Sequence, residues 1–545
     1  MKSKYLLFPV LGVLASTALT GCFDMDTLPL SQNITEEQKV SVKEANPEMA
    51  QASITGITSL FSTFLNVVST TTREVHSDFG FPSVMLSMDS RGIDMVSENI
   101  GYNWFANEAM MNDCNITGDP TNIAWGNCYN QIFAANAAIK SIDAETEDPT
   151  LQFYLAQGKA IRAFDYFTLA QIYQFTYKGN EDKPCVMLVT DLNEEEIAQN
   201  GCGRSTVEEV YAQIMKDLDD AIVLLETSKL NPENVLSSMP KRFLSLAAVH
   251  GLRARVNLVM NEWDAAAADA EKAISLFKGA PRSLDSAAGP GFSSLDESDW
   301  MWGIAIAETD RVVTSSIINW PSHMGSLNYG YASVGAWRMV NKALYASIPD
   351  SDVRKTWFLD AEGKSAGLTE KQQEYLDGAG AAPYTQVKFN AYQGVVYQDV
   401  NANDIPLMRV EEMYYILAEA QAMGTAGPGA GTQTLVQFVK AYRDPEYAFA
   451  GGSAEDVQNE CWMQRRVELW GEGLTTFDLM RLKKPFDRRG GGWDVTMCYN
   501  VAPTDPVLLY CIPQKEINGN PGFTSSDNNN PQPQPTPVAD YETAQ

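Results

Sequence analysis

The side chains of this 545-residue chain that are best suited to chemistry are aromatic and form two clusters. Both clusters lie beside Gly, Pro or Asn, which favour loops over regular structure. The first comprises Tyr102, Asn103 and Trp104, and the second comprises Trp320, His323, Tyr329, Tyr331 and Trp337. Sugar rings present apolar C–H faces and rims of hydroxyls, so sugar-binding sites pair exposed aromatic rings with planar polar groups. We expect both clusters to contact such a ligand, with core packing as the alternative for any single ring.

Metal chemistry and acid–base catalysis have little support in the sequence. The three histidines, His76, His250 and His323, are far apart, and none forms an HxxxH pattern or lies near a CxxC pair. We therefore expect no catalytic residue, no metal ligand and no cofactor. A structural calcium ion remains an open alternative because calcium needs only oxygen ligands, although no Asp/Asn ladder marks a site.

Charges of both signs recur at helical spacing near the C-terminus. A catalytic acid pair is one interpretation of this segment. Ion pairs that tie the C-terminal segment to the rest of the protein are favoured, because opposite charges three or four residues apart face each other on a helix. The residues concerned are Arg465, Arg466, Glu468, Glu472, Asp478 and Arg481.

The chain begins with a segment typical of export. Lys2 and Lys4 precede an apolar run that Pro9 interrupts, and the run is shorter than the roughly 20 residues that cross a bilayer. It ends in Leu-Thr-Gly-Cys at 19–22, which resembles the box at which bacterial lipoproteins are cleaved and acylated. We expect Cys22 to carry the lipid. Ordinary cleavage that leaves Cys22 as a free thiol is the alternative.

The net charge and the positions of the cysteines limit the classes of partner that the protein can bind and bear on the compartment in which it folds. The formal net charge of −29 makes nucleic acid an unfavourable partner. None of the eight cysteines belongs to a CxxC pair. In an exported protein, pairs close in sequence are candidates for disulfides that staple loops, whereas Cys461 is expected to be a buried thiol on a helix. The candidate pairs are Cys114 with Cys128, Cys185 with Cys202, and Cys498 with Cys511.

Helices with small apolar faces are the elements that must position these side chains. Two helices joined by a short turn are predicted within residues 240–277. One face of the first of these two helices contains Leu244, Ala247, Gly251, Ala254 and Leu258, which recur at steps of three and four residues. An alanine-rich helix follows a short turn. Together they resemble a tetratricopeptide unit, which needs stacked partners to bury its faces.

Similar helical patterns occur before and after this pair, separated by a long insertion. Helices are predicted at 52–68, 151–175, 207–225, 407–423 and 435–442. The insertion near 280–405 is rich in aromatic residues, and short strands are predicted within it at 312–320 and 393–400. The run DWMWGIAIA, which starts at Asp299, indicates a buried strand or helix.

Five blocks in order carry a resemblance to a known family. The first block is the lipoprotein-like start. The segment LLYCIPQKEINGNPG at 508–522 follows the fifth block and ends the globular part. The other four are GKAIRAFDYFTLAQIY, RFLSLAAVHGLRARVNL, MRVEEMYYILAEAQA and RRVELWGEGLTTFDLMRLKKP. In these blocks the chain resembles the SusD/RagB family of nutrient-binding outer-membrane lipoproteins.

The resemblance implies a mainly α fold, in which tetratricopeptide-like repeats support an irregular, ligand-binding half. It implies a protein without catalytic activity that is lipid-anchored in the outer membrane and exposed at the cell surface. Such a protein captures oligosaccharides and delivers them to a TonB-dependent, SusC-like transporter. A peptide ligand, known in some branches, is the alternative. A glycoside hydrolase is less favoured, because no carboxylate spacing predicts the required pair about 5 to 9 Å apart.

The predicted layout has four parts. Residues 1–21 form the signal peptide and residues 22–50 a lipid-anchored tether. Residues 51–526 form the globular domain, including the insertion near 280–405. The Pro/Asn/Gln-rich tail at 527–545 is predicted to be disordered because it has little apolar content.

Lipidation of Cys22 is directly testable. We expect the mature protein to begin at Cys22 and to carry acyl chains there, which mass spectrometry of the membrane-extracted protein will detect. The Cys22→Ala variant should leave the membrane fraction. An unmodified terminus at another residue would contradict this assignment.

Overall fold

The part of the chain that the structure describes is mainly α-helical, as the sequence predicts. The structure is a computed structural model that describes residues 36–47, 49–64, 74–236 and 238–543. The predicted signal peptide and Cys22 lie outside these residues. No helix among the described residues is long and apolar enough to cross a membrane.

Eleven α-helices form the first half of the described chain. α1 lies in the segment predicted to be a tether, so this segment is partly helical. The helices are α1 (Glu36–Ala45), α2 (Met49–Leu60), α3 (Phe81–Arg91), α4 (Ala106–Ala109), α5 (Asp119–Lys140), α6 (Pro149–Tyr173), α7 (Glu194–Asn200), α8 (Val207–Ser228), α9 (Pro232–Val235), α10 (Leu246–Met260) and α11 (Trp263–Leu276).

Capping side chains set the starts of the long helices. The Asp148 carboxylate accepts hydrogen bonds from the backbone N–H groups of Thr150 and Leu151 at the start of α6. α8 begins with a capping box, in which the side chains of Thr206 and Glu209 each accept a hydrogen bond from the other residue's backbone N–H. These caps satisfy N–H groups that have no partner within the helix.

Ten further helices lie in the second half, and the described residues also form three two-stranded antiparallel sheets. The helices are α12 (Leu284–Ala287), α13 (Arg311–Thr314), α14 (Trp320–Met324), α15 (Lys342–Ser347), α16 (Glu370–Ala379), α17 (Val410–Met423), α18 (Gly427–Tyr442), α19 (Ala454–Glu468), α20 (Thr475–Arg481) and α21 (Gln514–Gly519). The paired strands are β1 (Met95–Val96) with β3 (Met339–Val340), β2 (Trp300–Ile304) with β4 (Ile405–Arg409), and β5 (Phe486–Asp487) with β6 (Asn500–Val501).

The long helices stack in pairs, in agreement with a tetratricopeptide-like scaffold. α5 packs on α6, α6 on α8, α10 on α11, α11 on α17, and α17 on α18. The predicted small face of α10 is a contact face. A Cβ atom placed on Gly251 would lie 2.6 Å from Met408 Sδ and 3.0 Å from Met413 Sδ. Only a small residue at this position lets α10 approach its neighbours so closely.

Within the insertion, the two predicted strands are wrong. α13 occupies 311–314, α14 begins at Trp320, and a 3-10 turn lies at 392–394. The side chain of Asn319 accepts a hydrogen bond from the backbone of Ser322, and Pro321 occupies the first turn of α14. These capping signals start a helix in spite of the β-branched residues before it. The DWMWGIAIA run forms the buried strand β2.

The predicted ion pairing of the C-terminal charges is confirmed. Arg465 lies 2.6 Å from Asp478, within the segment, and Arg466 reaches Asp94 near the start of the chain at 2.5 Å. Arg481 binds Glu419 on α17 at 2.6 Å. The segment is therefore fixed to the repeats and to the N-terminal region at the same time.

The tail is not disordered as predicted: residues 527–543 lie against the globular domain. The backbone N–H of Gln532 donates to the carbonyl of Cys114 at 3.0 Å, and that of Val538 donates to the carbonyl of Cys498 at 2.9 Å. The prediction counted only apolar side chains. Backbone hydrogen bonds hold this segment without them.

None of the three predicted disulfides forms in the structure. All seven cysteines of the described residues are free thiols. Cys114 lies beside Cys511 instead, with their sulfur atoms 4.0 Å apart. Proximity in sequence was a poor guide because the fold brings distant loops together.

Two glycines on α18 provide a matched test of helix packing. A Cβ atom on buried Gly431 would lie 2.3 Å from the carbonyl oxygen of Ala418 on α17, whereas one on exposed Gly429 would meet nothing within 4 Å. We expect Gly431→Ala to destabilise the protein by about 1 to 3 kcal/mol through overpacking. Gly429→Ala should leave stability unchanged or raise it by up to about 1 kcal/mol. Denaturant unfolding of both variants measures the difference, and equal midpoints would contradict the close contact between α17 and α18.

Candidate functional site

The loop at 329–335 brings two groups of aromatic rings together. The first group surrounds Trp104, of which 43 % is exposed. The imidazole of His76 stacks on the Trp104 indole with ring centroids 4.2 Å apart and planes 9° apart. Tyr331 approaches both rings edge-on, at 5.6 Å from His76 and 6.3 Å from Trp104. A hydrogen bond between His76 Nδ1 and the Tyr331 hydroxyl completes this arrangement.

His323 supports this group from below. Its ring stacks on Tyr331 at 4.6 Å and on Phe79 at 5.3 Å. Its Nε2–H donates to the backbone carbonyl of His76 at 2.9 Å, which fixes the tautomer. Burial and the nearby positive charge of Arg338 hold the pKa of His323 well below its ordinary value. His323 is therefore a neutral, buried support for the rings above it.

The second group consists of three tyrosines. The Tyr397 ring lies 5.3 Å from that of Tyr329 and 5.5 Å from that of Tyr375, and 54 % of Tyr397 is exposed. Backbone hydrogen bonds hold the two loops together, from Tyr397 N–H to the Leu327 carbonyl and from Tyr329 N–H to the Gln398 carbonyl. The position of Tyr397 is thus set by the same loop that carries Tyr331.

The loop at 329–335 is itself fixed by short-range contacts. The Ser322 hydroxyl accepts a hydrogen bond from Tyr331 N–H at 3.1 Å, and the Ser333 hydroxyl accepts one from Gly330 N–H at 3.1 Å. A Cβ atom on Gly330 would lie 2.3 Å from Ser322 Oγ. Glycine is therefore required where the loop passes over α14.

Three buried asparagines join this loop to the segment that follows Tyr397. The amide of Asn328 donates to the side-chain oxygens of Asn401 and Asn403, at 3.0 and 3.1 Å. Asn401 in turn donates to the Tyr329 carbonyl at 3.0 Å. Because these amides form hydrogen bonds with one another in the interior, they fix the spacing of the two tyrosine-bearing segments.

The first predicted cluster lies on a loop that is shaped by Asn103. This residue is buried, and its amide donates to the Glu98 carbonyl while its side-chain oxygen accepts from Phe105 N–H. Its neighbours Tyr102 and Trp104 point outward, and 55 % of Tyr102 is exposed. Asn103 holds the loop, and the two aromatic residues are free to meet a ligand.

Two tryptophans of the second predicted cluster lie in the interior. Trp320 packs edge-on against Phe389 at 4.8 Å. Trp337 belongs to a separate core cluster with Leu359 and Val387. As placed, neither indole has a face open to a ligand. Both support the loops that carry the exposed rings.

The structure therefore combines parts of both clusters into one surface. This aromatic surface comprises His76, Trp104, Tyr329, Tyr375 and Tyr397. The predicted site residue Tyr331 is buried, and its ring packs edge-on against His76 and Trp104, so it supports the surface. The sequence alone did not identify His76, Tyr375 or Tyr397 as members. Tyr397 follows Gly394 in an aromatic loop, which is a usable signal, whereas nothing local marks His76 or Tyr375.

Concave regions also lie elsewhere on the described part of the chain. A narrow crevice is walled by the rings of Phe81, Phe164 and Phe167, and its charged groups pair with one another, as in the contact of Arg255 with Glu412. Such a crevice leaves few polar groups for sugar hydroxyls. An open groove of about 1690 Å³ borders the loop at 96–100, next to the loop that carries Trp104.

The described residues contain no group of three or more His, Cys, Asp or Glu side chains that could hold a metal ion. The aromatic surface itself presents the rings of Trp104 and Tyr397, which are its most exposed side chains, together with the neighbouring ring of Tyr102 and tyrosine hydroxyls. These groups suit the recognition of an uncharged polar ligand through stacking and hydrogen bonds.

The fold and the site define a helical-repeat scaffold that carries a loop-built aromatic surface. A family described as SusD-like, starch-binding and associating with the outer membrane matches residues 65–258, and the SusD family matches residues 354–531. The chain belongs to the SusD/RagB family. A comparison with curated proteins gave no match.

Solved structures share the fold over nearly the whole chain. A SusD-like carbohydrate-binding protein from Bacteroides vulgatus ATCC 8482 is 23 % identical with a TM-score of 0.68, covering 88 % of this chain and 97 % of its own. A SusD superfamily protein from Bacteroides thetaiotaomicron VPI-5482 is 19 % identical with a TM-score of 0.66, covering 89 % and 99 %. A surface glycan-binding protein A from Bacteroides thetaiotaomicron, in complex with laminarihexaose, is 16 % identical with a TM-score of 0.59, covering 87 % and 98 %.

The protonation states of His76 and His323 can be measured directly, because a chain with three histidines gives few histidine signals to assign. Burial lowers the pKa of His76 below its ordinary value of 6.5, and the pKa of His323 lies well below it. In a ¹³C-histidine-labelled sample, assigned with single His→Gln variants, we expect His76 to titrate below pH 6.5 and His323 to stay neutral while the fold persists.

These pKa shifts determine the direction in which the free energy of unfolding changes with pH. A histidine that is harder to protonate in the folded state contributes full stability above its unfolded pKa, and this contribution is lost as the pH falls below about 6.5. The contribution of His323 to stability should therefore decrease from pH 7 to pH 5, so the parent should lose stability relative to the His323→Gln variant over this range. A His323 signal that titrates near pH 6.5 in the folded protein would contradict its burial.

Proposed function

We propose that this protein binds a glycan on the aromatic surface and does not act on it as an enzyme. The observation that carries the proposal is the geometry of Trp104. One face of its indole is covered by His76, while 43 % of the residue remains exposed. Exposed aromatic rings held in fixed positions are costly in water and typical of binding sites. They match the apolar face of a sugar ring.

The two ring groups suit a ligand of more than one sugar unit. Trp104 and Tyr397 are the exposed members, and the loop at 329–335 joins their groups through Tyr331 and Tyr329. Separate rings held by one loop provide separate stacking positions for successive units of an oligosaccharide. Tyrosine hydroxyls and nearby backbone groups are available for sugar hydroxyls.

The charge of the protein favours an uncharged glycan. The formal net charge is −29, so a polyanionic ligand such as a sulfated or uronic acid polymer would be repelled. The related structures support a carbohydrate as the ligand class, since one has laminarihexaose bound and another is described as a laminarin-binding SusD-like protein. These ligands are properties of those proteins.

The proposed setting is the cell surface. The lipoprotein-like start at 19–22 and the membership of the SusD/RagB family support a lipid-anchored protein of the outer membrane that delivers its ligand to a TonB-dependent, SusC-like transporter. Affinity purification of the tagged protein from detergent-solubilised outer membranes tests this partnership. Recovery of such a transporter in stoichiometric amount is expected, and its absence under several mild detergents would contradict the delivery role.

The binding role is tested with a matched set of variants. A glycan and peptide array first identifies the oligosaccharide that binds best, and calorimetry then gives its affinity. We expect Trp104→Ala to weaken binding about tenfold, because truncating an aromatic anchor typically costs more than 1 kcal/mol. Tyr397→Ala should weaken it several-fold. Phe133, an aromatic residue on α5 that is 48 % exposed, provides the control, and Phe133→Ala should bind like the parent.

A variant of the buried Trp320 distinguishes the loss of a ligand contact from the loss of structural support for the loops. Trp320→Ala removes a ring from the interior, so thermal melts should show loss of stability together with any loss of affinity. If Trp104→Ala and Tyr397→Ala both fold and bind like the parent, the aromatic surface is not the site. Array binding to peptides without any glycan would favour the peptide-binding branch of the family.

A further inference from the structure

Two cysteines that are far apart in the sequence meet in the interior. Cys114 follows the loop that carries Trp104, and Cys511 lies close to the C-terminal helix α21, 397 positions further along the chain. Their sulfur atoms are 4.0 Å apart, and both residues are buried. Among the described cysteines, this is the pair whose sulfur atoms are in contact.

The backbone on the Cys114 side of the contact is held firmly. The guanidinium of Arg91 forms two hydrogen bonds with the carboxylate of Asp113, both at 3.1 Å. The same guanidinium donates to the carbonyls of Leu508 at 2.6 Å and Val507 at 2.9 Å. One buried arginine thus ties the residue before Cys114 to the 3-10 turn Pro506–Leu508, which leads to Cys511.

The Cys511 side is anchored independently. The hydroxyl of Thr121 on α5 donates to the Cys511 carbonyl. The thiol of Cys114 donates to the carbonyl of Leu509 at 3.1 Å, so it already points at the segment that carries Cys511. The tail closes over the contact, since Gln532 N–H donates to the Cys114 carbonyl at 3.0 Å.

We propose that Cys114 and Cys511 form an intramolecular disulfide when the chain folds under oxidising conditions. A disulfide has an S–S distance of about 2.05 Å, so the two sulfur atoms must approach by about 2 Å. Rotation of a cysteine side chain about its Cα–Cβ bond moves the sulfur atom while the Cα atom stays in place.

The reaction is a thiol–disulfide exchange with an external disulfide as the oxidant. The thiolate of one cysteine attacks a sulfur of the external disulfide and releases one thiol, forming a mixed disulfide. The second protein thiolate then attacks the protein sulfur of that mixed disulfide and releases the second thiol. Two protein S–H bonds and one external S–S bond are lost, while one protein S–S bond and two external thiols are formed.

The disulfide would fix a region that the binding loops depend on. It would join the chain just after the Trp104 loop to the segment that carries the tail. Because it closes a ring of almost 400 residues, it would remove much of the freedom of the unfolded chain. Since both thiols are buried in the folded protein, the exchange should occur during folding and only slowly afterwards.

The experiment compares refolding with and without an oxidant. The full mature chain is unfolded with a reductant and then refolded either in a mixture of oxidised and reduced glutathione or in reduced glutathione alone. Free thiols are blocked with iodoacetamide, and the digest is analysed by mass spectrometry. We expect a peptide pair linked through Cys114 and Cys511 after oxidative refolding, with Cys128, Cys461 and Cys498 alkylated once the protein is denatured for labelling.

A stability measurement accompanies the mapping. The oxidised protein should melt at least about 5 °C higher than the reduced one. This difference in melting temperature should vanish in Cys114→Ser and in Cys511→Ser. Cys202 provides the control, because its thiol is half-buried and does not contact another cysteine, so the difference should persist in Cys202→Ser. Cys114→Ser and Cys511→Ser should have similar melting temperatures in reduced glutathione.

Two results would overturn the proposal. One is alkylation of both Cys114 and Cys511 after oxidative refolding. The other is a linkage of either residue to a different cysteine, such as Cys128 or Cys498. Because the peptide mapping is done on the parent chain, its result stands even if a serine variant fails to fold.

Discussion

The carboxylate of Glu468 is the point on which the packing of the C-terminal half depends. It is completely buried, and it contacts the guanidinium groups of Arg443 at 2.7 Å, Arg409 at 3.0 Å and Arg354 at 3.3 Å. Burial alone would raise its pKa, but Arg443 and Arg409 hold the pKa well below the ordinary value. A buried charge without a partner would destabilise the fold by several kcal/mol. Glu468 and its three arginine partners must therefore be in place together. The three arginines come from the insertion, the end of β4 and the end of α18, which locks these elements around the end of α19.

The same network supports the ring group around Trp104 from two sides. The ammonium group of Lys388 binds Glu472 at 2.6 Å and the carbonyls of Glu468 and Trp470 at 2.9 Å, and burial lowers its pKa to about 8. The next residue, Phe389, packs against Trp320 at the start of α14, whose His323 supports Tyr331. On the other side, Arg466 and the indole of Trp470 bind Asp94, just before the loop that carries Trp104. The exposed rings are therefore held by contacts that converge on one short segment, 466–472, far from them in the sequence. A surface preorganised in this way loses little entropy when a ligand binds.

Burial separates the aromatic residues of this chain into two roles. Trp320, Trp337 and His323 provide rigid support because packed rings have few alternative positions. Trp104 and Tyr397 remain at the surface because the loops that carry them are pinned by asparagine side chains and backbone hydrogen bonds. Nothing in the composition of the two sequence clusters distinguishes these roles, since both contain Trp or Tyr beside Gly, Pro or Asn. Exposure is decided by what packs on each ring, and those partners come from distant segments.

The sequence by itself determined the helical scaffold, the family resemblance and the pairing of the charges between Arg465 and Arg481. The helical scaffold is encoded by local spacing, because a period of three and four residues places small residues such as Gly251 on one face. Asp478 and Arg481 lie one helical turn apart, as local pairing requires. The other partners of this segment, such as Asp94 and Glu419, come from distant parts of the chain. The tertiary structure alone decided that His76 covers Trp104, that Tyr375 joins Tyr397, that Cys114 meets Cys511, and that the tail is ordered. Each of these contacts joins residues whose separation in the chain exceeds any local period, or it rests on backbone hydrogen bonds that composition does not record. Their geometry exists only after the helices and the buried ion pairs have fixed the loops in space.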